Sequence, residues 1–385
     1  MTIVYALEQP PKSFSKSIFL AGPTPRDKAV PSWRPDALAL LKEQGYDGVV
    51  FVPESRDDAC GVEYDNQIEW EEAGLNQADV ILFWVPRELA TMPAFTTNVE
   101  YGKWYESGKC VLGFPSSAKK MGYLAYYAKK HNIPVTDDLW DTVHDALVFI
   151  GEGAPRTGGE TLVPLYVWKT PSFQSWYRKT ILRTDNRLDG VRVRWVHCQG
   201  SEKKIVFLWI IQAKVWVEKE GRHAQMELIV GRPDISAIVL FCRGETFRQT
   251  EVVLIREFRN AVANSEGYVL ELPGGSSFDT VENPLVLMKD ELLEETGISI
   301  GLDRIRVVYE RQLMGTLSAH RALIGSVELF VDEMARIKKQ VGDLHGNVAD
   351  GEKTYLEVKT VEELLQDEQM DWSNLGMIFS ALHQN

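Results

Sequence analysis

The sequence predicts an α/β chain, with an N-terminal doubly wound parallel sheet followed by an α+β domain built on a mixed sheet. Three observations carry this. Apolar strands alternate with helical stretches over the first part of the chain. A glycine-dense break, GEGAPRTGGET, follows. Beyond it the pattern changes to runs rich in Val, Ile, Trp and Phe separated by turns. These features divide the 385 residues into 1–160, a connecting region with a β-rich arm at 161–230, and 231–385. The arm is expected to belong with the last part.

Taken in order, SIFLAGPTP from Ser17 reads as a buried strand ending in a Gly/Pro turn. A helix over 32–44 and a strand over 48–52 complete a βαβ opening. IEWEEAGLNQAD is helical in pattern and runs into the strand ADVILFWVP. VEYGKWYESGK and CVLGFP repeat that alternation, and 137–150 reads as an amphipathic helix. Such alternation predicts a parallel sheet covered by helices. After the break, VRVRWVHC, KIVFLWIIQAKVWVE, QMELIVG, DISAIVLFC and EVVLIREF read as strands. Helices are expected over 284–296, after LPGG, and over 360–367.

Composition bounds the function. With 44% hydrophobic and 25% charged residues the chain is an ordinary globular one. A net charge of −13 argues against binding duplex nucleic acid, which needs a basic surplus, and leaves small anionic substrates open. Cys60, Cys110, Cys198 and Cys242 are scattered without C-x-x-C spacing, so neither a zinc site nor a disulfide framework is expected. No apolar run approaches a membrane span, and a cytoplasmic protein is the expectation.

In ELPGGSSFDTVENPLVLMKDELLEETGISI, Glu291, Glu294 and Glu295 fall at i, i+3 and i+4 of a helix, which places three like charges on one side. A hard divalent cation removes that repulsion. Gly274 and Gly275 end the preceding strand in a turn that lets backbone approach a ligand. The plain alternative is a solvated glutamate-rich face. Strand, double-glycine turn and helix together resemble the Nudix box, in which Gly, five residues, Glu and seven residues precede REUxEExGU, U being bulky and apolar. Glu291, Leu292, Glu294, Glu295, Gly297 and Ile298 match it. Asp290 replaces the Arg, with Lys289 beside it, and six residues rather than five separate Gly275 from Glu282.

VVLIREFR and GYVLELPGG are similar to the ADP-ribose pyrophosphatase branch, which implies contacts from Arg256 and Arg259 to a nucleoside diphosphate; surface charge is the equal alternative. ADGEKTYLEV resembles the loop that brings a catalytic acid to the metals, making Glu352 the candidate base. His320 is read as structural rather than pocket-lining. The resemblance implies Mg²⁺ (or Mn²⁺) at Glu291, Glu294, Glu295 and the Gly275 carbonyl, with Glu295 catalytic. It also implies cleavage of ADP-ribose or a related diphosphate into two monophosphates, and a homodimer through this part.

The first half has its own constellation: the turn Gly22-Pro23-Thr24, Glu71 near a helix end, Asp79 before a strand, and TTNVEYG from Thr96. In a parallel sheet, ligands lie beyond the carboxyl ends of the strands. Thr97 and Asn98 are expected at a helix N-terminus that offers N–H groups to a phosphate or sugar hydroxyl, with Glu100 in its first turn. The bland reading is a helix cap. In this order, LAGP, ADVILFW and TTNVEYG resemble nucleoside 2-deoxyribosyltransferases and related nucleotide N-glycosidases. That resemblance makes Glu100 the nucleophile at the anomeric carbon, Glu71 the proton donor with Glu69 or Glu72 as substitutes, and Asp79 a further catalytic position. Water or a second base is left open as acceptor. Trp33, Trp70, Trp84 and Trp104 are stacking candidates, though core packing is the commoner role.

The two resemblances together imply a bifunctional nucleotide-processing hydrolase. The competing reading is a sensor whose altered box binds an ADP-ribose-like ligand without turnover.

Overall fold

Strands that are apolar at nearly every position need cover on both faces, and Ser17–Ala21, Val49–Val52, Val80–Trp84 and Cys110–Gly113 are buried along their whole length. The computed structural model describes residues 1–26, 29–56, 64–199, 205–276, 283–347 and 351–384. By its internal contacts the chain divides into two units, Met1–Ile229 and Val230–Asn385.

In the first unit six parallel strands lie in the order Thr2–Tyr5, Val49–Val52, Ser17–Ala21, Val80–Trp84, Cys110–Gly113 and Val135–Thr136. Alternate residues enter opposite cores, as the strand period demands. Phe19, Phe51, Ile81 and Phe83 pack with Leu75, Tyr101 and Leu124 on one face. Ile18, Leu20, Val50 and Leu82 pack with Ala37, Leu41, Val143 and Ala146 on the other. The helices are Arg34–Glu43, Tyr64–Gln77, Phe95–Trp104, Gly122–Lys130 and Leu139–Ile150. Gly122–Lys130 was not foreseen. The last begins two residues later than expected because the Asp138 carboxylate caps it, accepting from the N–H of Trp140 at 2.7 Å.

Residues 161–229 group with this first unit, not with the second as the sequence suggested. Arg187–Gln199 and Ile205–Val217 form an antiparallel hairpin. It is pinned by aromatics: Trp209 is fully buried among Phe173 and Trp176, and its indole N–H donates to Ser172 Oγ at 2.9 Å. The helix Pro171–Thr180 supplies those partners.

The second unit is built on an eight-stranded mixed sheet in which Ile235–Cys242 runs parallel to Arg321–Glu328 and antiparallel to Glu251–Phe258. Val239 and Phe241 face the helix Trp372–Gln384, whereas Ile238 and Leu240 face the helix Pro284–Thr296. Pro284–Thr296 has the expected bounds, with Asn283 as cap and Gly297 ending it at φ +70°. The helix expected over 360–367 shortens to Val361–Leu364, capped by Thr360, and Trp372–Gln384 was not foreseen. Among the described residues no helix is long and apolar enough to cross a membrane. Cys110, Cys198 and Cys242 are free thiols, and Cys60 lies outside the described residues.

Candidate active site

The strand order reverses at Ser17–Ala21: the chain next adds Val49–Val52 on one side and then Val80–Trp84 on the other. Connections depart in opposite directions there and leave a crevice beyond the carboxyl ends of the strands. The turn after Ser17–Ala21 is tight. A Cβ on Gly22, whose φ is +151°, would stand 2.1 Å from the Trp84 carbonyl oxygen and 2.8 Å from the Trp33 ring. Only glycine allows that approach.

Three helices bring charged groups to the crevice. Arg34, the first residue of Arg34–Glu43, is 1% exposed, and its guanidinium reaches back to the strand ends. It donates to Gly22 O at 2.7 Å, Leu20 O at 3.2 Å, Thr24 Oγ1 at 3.0 Å and Glu54 Oε1 at 2.5 Å. Glu71 stands on Tyr64–Gln77, where Gln67 Nε2 donates to its carboxylate at 2.9 Å. Glu100 stands on Phe95–Trp104. Burial pushes the Glu100 carboxyl up to about 7; the neighbouring Glu71 adds to the rise and Arg34 opposes it. Glu71 is also raised by burial, against the pull of Gln67 and Arg34. Two half-buried glutamates from separate helices are thus both raised by partial burial, and both feel the buried Arg34.

Several expected site residues lie elsewhere. Asp79 is 2% exposed at the amino end of its strand, away from the crevice. Its oxygens accept from Arg156 at 2.8 and 2.6 Å, Ser17 N at 2.9 Å, Ser17 Oγ at 3.1 Å and Leu165 N at 2.8 Å. With every lone pair engaged it is a structural anchor, not a catalytic group. Glu72 pairs with Lys103 at 2.8 Å, and Glu69 is exposed, so Glu71 alone of the three faces Glu100.

Helix Phe95–Trp104 begins earlier than expected, after Ala94 in a left-handed conformation, which puts Thr97 and Asn98 inside the first turn and Glu100 in the second. Thr97 is fully buried, and Asn98 Oδ1 accepts from Arg87 at 2.5 Å. The Thr97 hydroxyl is enclosed and the Asn98 amide oxygen is taken by Arg87. Three oxygens of Gly22-Pro23-Thr24 are engaged: the Trp33 indole N–H donates to Pro23 O at 3.1 Å, and Arg34 donates to Gly22 O and Thr24 Oγ1. Trp33 and Trp84 are buried, Trp70 packs on Phe19 and Phe51, and Trp104 packs against the same core, so all four tryptophans serve packing.

In the second unit, Glu295 is 3% exposed, and Gly274 N–H donates to its Oε2 at 2.8 Å. Burial pushes it up to about 9; the Gly274 bond opposes this, and Glu291, Glu352 and Glu271 add to it. Glu291 lies against the double-glycine turn, where a Cβ on Gly275 would meet its Oε1 at 2.0 Å. Glu294 is exposed, as is Asp290. Arg259 pairs with Glu271 at 2.7 Å and Glu257 at 2.8 Å. Arg256 pairs with Glu357 at 3.3 Å between the rings of Tyr268 and Tyr355. His320 shares a hydrogen bond with Ser318, and burial together with Arg232 lowers it to about 4, which keeps it neutral. Glu282 lies outside the described residues.

These donors are carboxylate oxygens, the chemistry a hard divalent cation takes. As placed, however, no three His, Cys, Asp or Glu among the described residues form a metal-holding group.

A family model described as nucleoside 2-deoxyribosyltransferase like matches residues 15–118. That span holds the strand reversal, Arg34, Glu54, Glu71 and Glu100. No curated protein sequence matches the chain significantly.

Proposed function

We propose that the first unit breaks, or transfers across, an N-glycosidic bond of a nucleoside or nucleotide, with Glu100 as nucleophile and Glu71 as proton donor. The observation that carries this is the grouping itself: two half-buried glutamates from separate helices, both carboxyls raised by partial burial, at the strand reversal that also holds buried Arg34. The Glu100 carboxylate oxygen forms a bond to the anomeric carbon while the carbon–nitrogen bond breaks. The departing base nitrogen takes its proton from Glu71. Water, or the nitrogen of a second base, then displaces Glu100 from the sugar, and Glu71 accepts the proton of that nucleophile. Splitting one displacement into two lowers each barrier. Because Glu100 must be ionised to attack while Glu71 must still hold the proton it donates, base release should pass through a maximum with pH. Chromatography of free base after incubation with a panel of nucleosides, nucleotides and NAD⁺ tests this. No base from any of them, with folded protein, would sink it.

For the second unit a separate reading is favoured by the buried Glu295 beside Glu291 and Glu352. It is a Nudix-like hydrolase of ADP-ribose or a related nucleoside diphosphate compound, in which Glu291, Glu294, Glu295 and the Gly275 carbonyl would hold Mg²⁺ or Mn²⁺. The bound ion would activate water and offset diphosphate charge. Glu352 would take the proton from that water, and Arg256 and Arg259 would meet the phosphates once released from their glutamate partners. Against it stands a sensing role, favoured by Asp290 where the resembled motif has Arg. Phosphomonoester release from ADP-ribose by wild type and by Glu295→Gln separates the two: an enzyme loses turnover, a sensor shows none. A homodimer through this unit is part of the same reading, checked by light scattering.

A further inference from the structure

One stretch of this acidic chain is free of acid. Between Glu106 and Asp137 no Asp or Glu occurs, whereas Lys119, Lys120, Lys129 and Lys130 all fall there and all are exposed. Lysines elsewhere on the surface are matched: Lys16 with Asp47, Lys103 with Glu72 and Lys359 with Asp367. Among the described residues none of the four has an acidic partner.

The helix Gly122–Lys130 sets out these charges. Met121, Leu124 and Ala128, at i, i+3 and i+7, turn one side into the core with Phe83 and Leu112. Tyr123, Tyr126 and Lys130 keep the same spacing on the outward side, with Lys119 and Lys120 in the turn before the helix and Lys129 near its end. Tyr123 is 74% exposed and Tyr126 64%. Both rings are supported by Tyr127, at 5.3 and 5.5 Å between centres, and Tyr127 itself packs on Tyr105 and His131. Two solvent-facing rings thus stand between two pairs of unmatched ammonium groups.

A ligand that answers this pattern carries negative charge at short intervals along a chain together with flat faces that stack. We propose that the outward face of Gly122–Lys130 binds single-stranded nucleic acid, its lysines meeting phosphates while Tyr123 and Tyr126 stack on unpaired bases. The net charge of −13 weighs against a duplex-binding surface, which needs many phosphate contacts, but a short strand needs only the local surplus. A duplex keeps its bases stacked inside and leaves the tyrosines without a partner. An anionic bilayer fits less well, because a helix lying in a membrane surface needs an apolar side to insert, and here that side, Leu124 and Ala128, is committed to the core. The carboxylates of an acidic peptide would meet the ammonium groups but give the rings no face to stack on. The proposal is independent of the reading of Glu100 and Glu71.

For the test, full-length protein is titrated into a fluorescently labelled oligothymidylate of about 12 nucleotides, within the usual span of a single-strand site, and anisotropy is read at several salt concentrations. Wild type should bind at about 50 mM salt, with log K falling against log salt at a slope of about −2 to −3, the value for three or four neutralised phosphates on a single strand. Lys119→Glu with Lys130→Glu should weaken binding by about tenfold or more and flatten that slope. Tyr123→Ala with Tyr126→Ala should weaken it by about tenfold at an unchanged slope, which separates stacking from charge. A duplex of the same length should bind more weakly than the single strand. Circular dichroism checks the fold of each variant; should the tyrosine variant not fold, the lysine variant and the duplex comparison decide. Equal binding by wild type and the folded tyrosine variant, or duplex bound as tightly as single strand, would reduce the face to a patch of charge and overturn the proposal. So would no binding at low salt, including the outcome in which the protein instead sediments with phosphatidylserine vesicles.

Discussion

Glu100 in the first unit and Glu295 in the second are both pushed upward by burial, to about 7 and about 9, but their neighbours differ. Glu100 has a buried arginine that draws it back toward ionisation. Glu295 is surrounded chiefly by other carboxylates, and Arg259, which also feels it, is already engaged by Glu257 and Glu271. A crevice that carries its own cation is poised for chemistry by side chains alone. On the reading proposed for the second unit, its acidic groups take a divalent cation from outside. The first unit should therefore be indifferent to chelators and the second should not.

The largest expected effect tests the first half of that contrast. Glu100→Gln should lower base release by on the order of 10⁴-fold, roughly 5 kcal/mol of transition-state stabilisation, with EDTA changing nothing. Retained activity in the variant, measured by chromatography, would place the nucleophile elsewhere. Asp79→Asn comes next and separates architecture from chemistry. It leaves Arg156 buried without its counter-ion and should cost about 3–5 kcal/mol in denaturant unfolding of the first unit. A drop in turnover at unchanged stability would return Asp79 to the site.

A third outcome follows from the sign of the Glu100 shift. Its carboxyl binds a proton more tightly folded than unfolded, so its contribution is complete below the ordinary value of 4.5 and is lost as pH rises to about 7. Glu100→Gln should therefore be more stable than wild type above that range, by about 2 kcal/mol after discounting solvent screening, and no more stable at acidic pH. Equal stability gains at both pH values would contradict it. The smallest effect belongs to the second unit: Mg²⁺ at ten times its Kd should stabilise it by about 1.4 kcal/mol, and Glu295→Gln should remove the gain. Calorimetry showing no Mg²⁺ dependence would leave the acidic cluster without its proposed ion.

The parallel sheet was legible because continuous apolar runs such as VILFW admit few other homes than a sheet covered on both faces. Glu100 was singled out through a motif and Glu71 through an expected helix end, although Glu71 stands in the middle of Tyr64–Gln77. Asp79 was misread because sequence places it beside a strand without saying at which end its partners gather; Arg156, its counter-ion, lies 77 positions away. Arg34 and Glu54 were invisible for the same reason, since only the reversal of strand order brings them together. Helix Trp372–Gln384 was missed, although Leu375, Ile378 and Leu382 keep helical spacing. In the second unit the bounds of Pro284–Thr296 were readable, whereas the grouping of Glu271, Glu291, Glu295 and Glu352 depends on pairing between distant strands.

Trapping the glycosyl-enzyme tests the central claim most directly. Protein quenched in acid during turnover of a substrate found in the base-release panel, then digested and mapped by mass spectrometry, should carry one sugar-mass adduct on the peptide holding Glu100, absent from Glu100→Gln. An adduct on another residue, or continued base release by Glu100→Gln with none, would contradict the account.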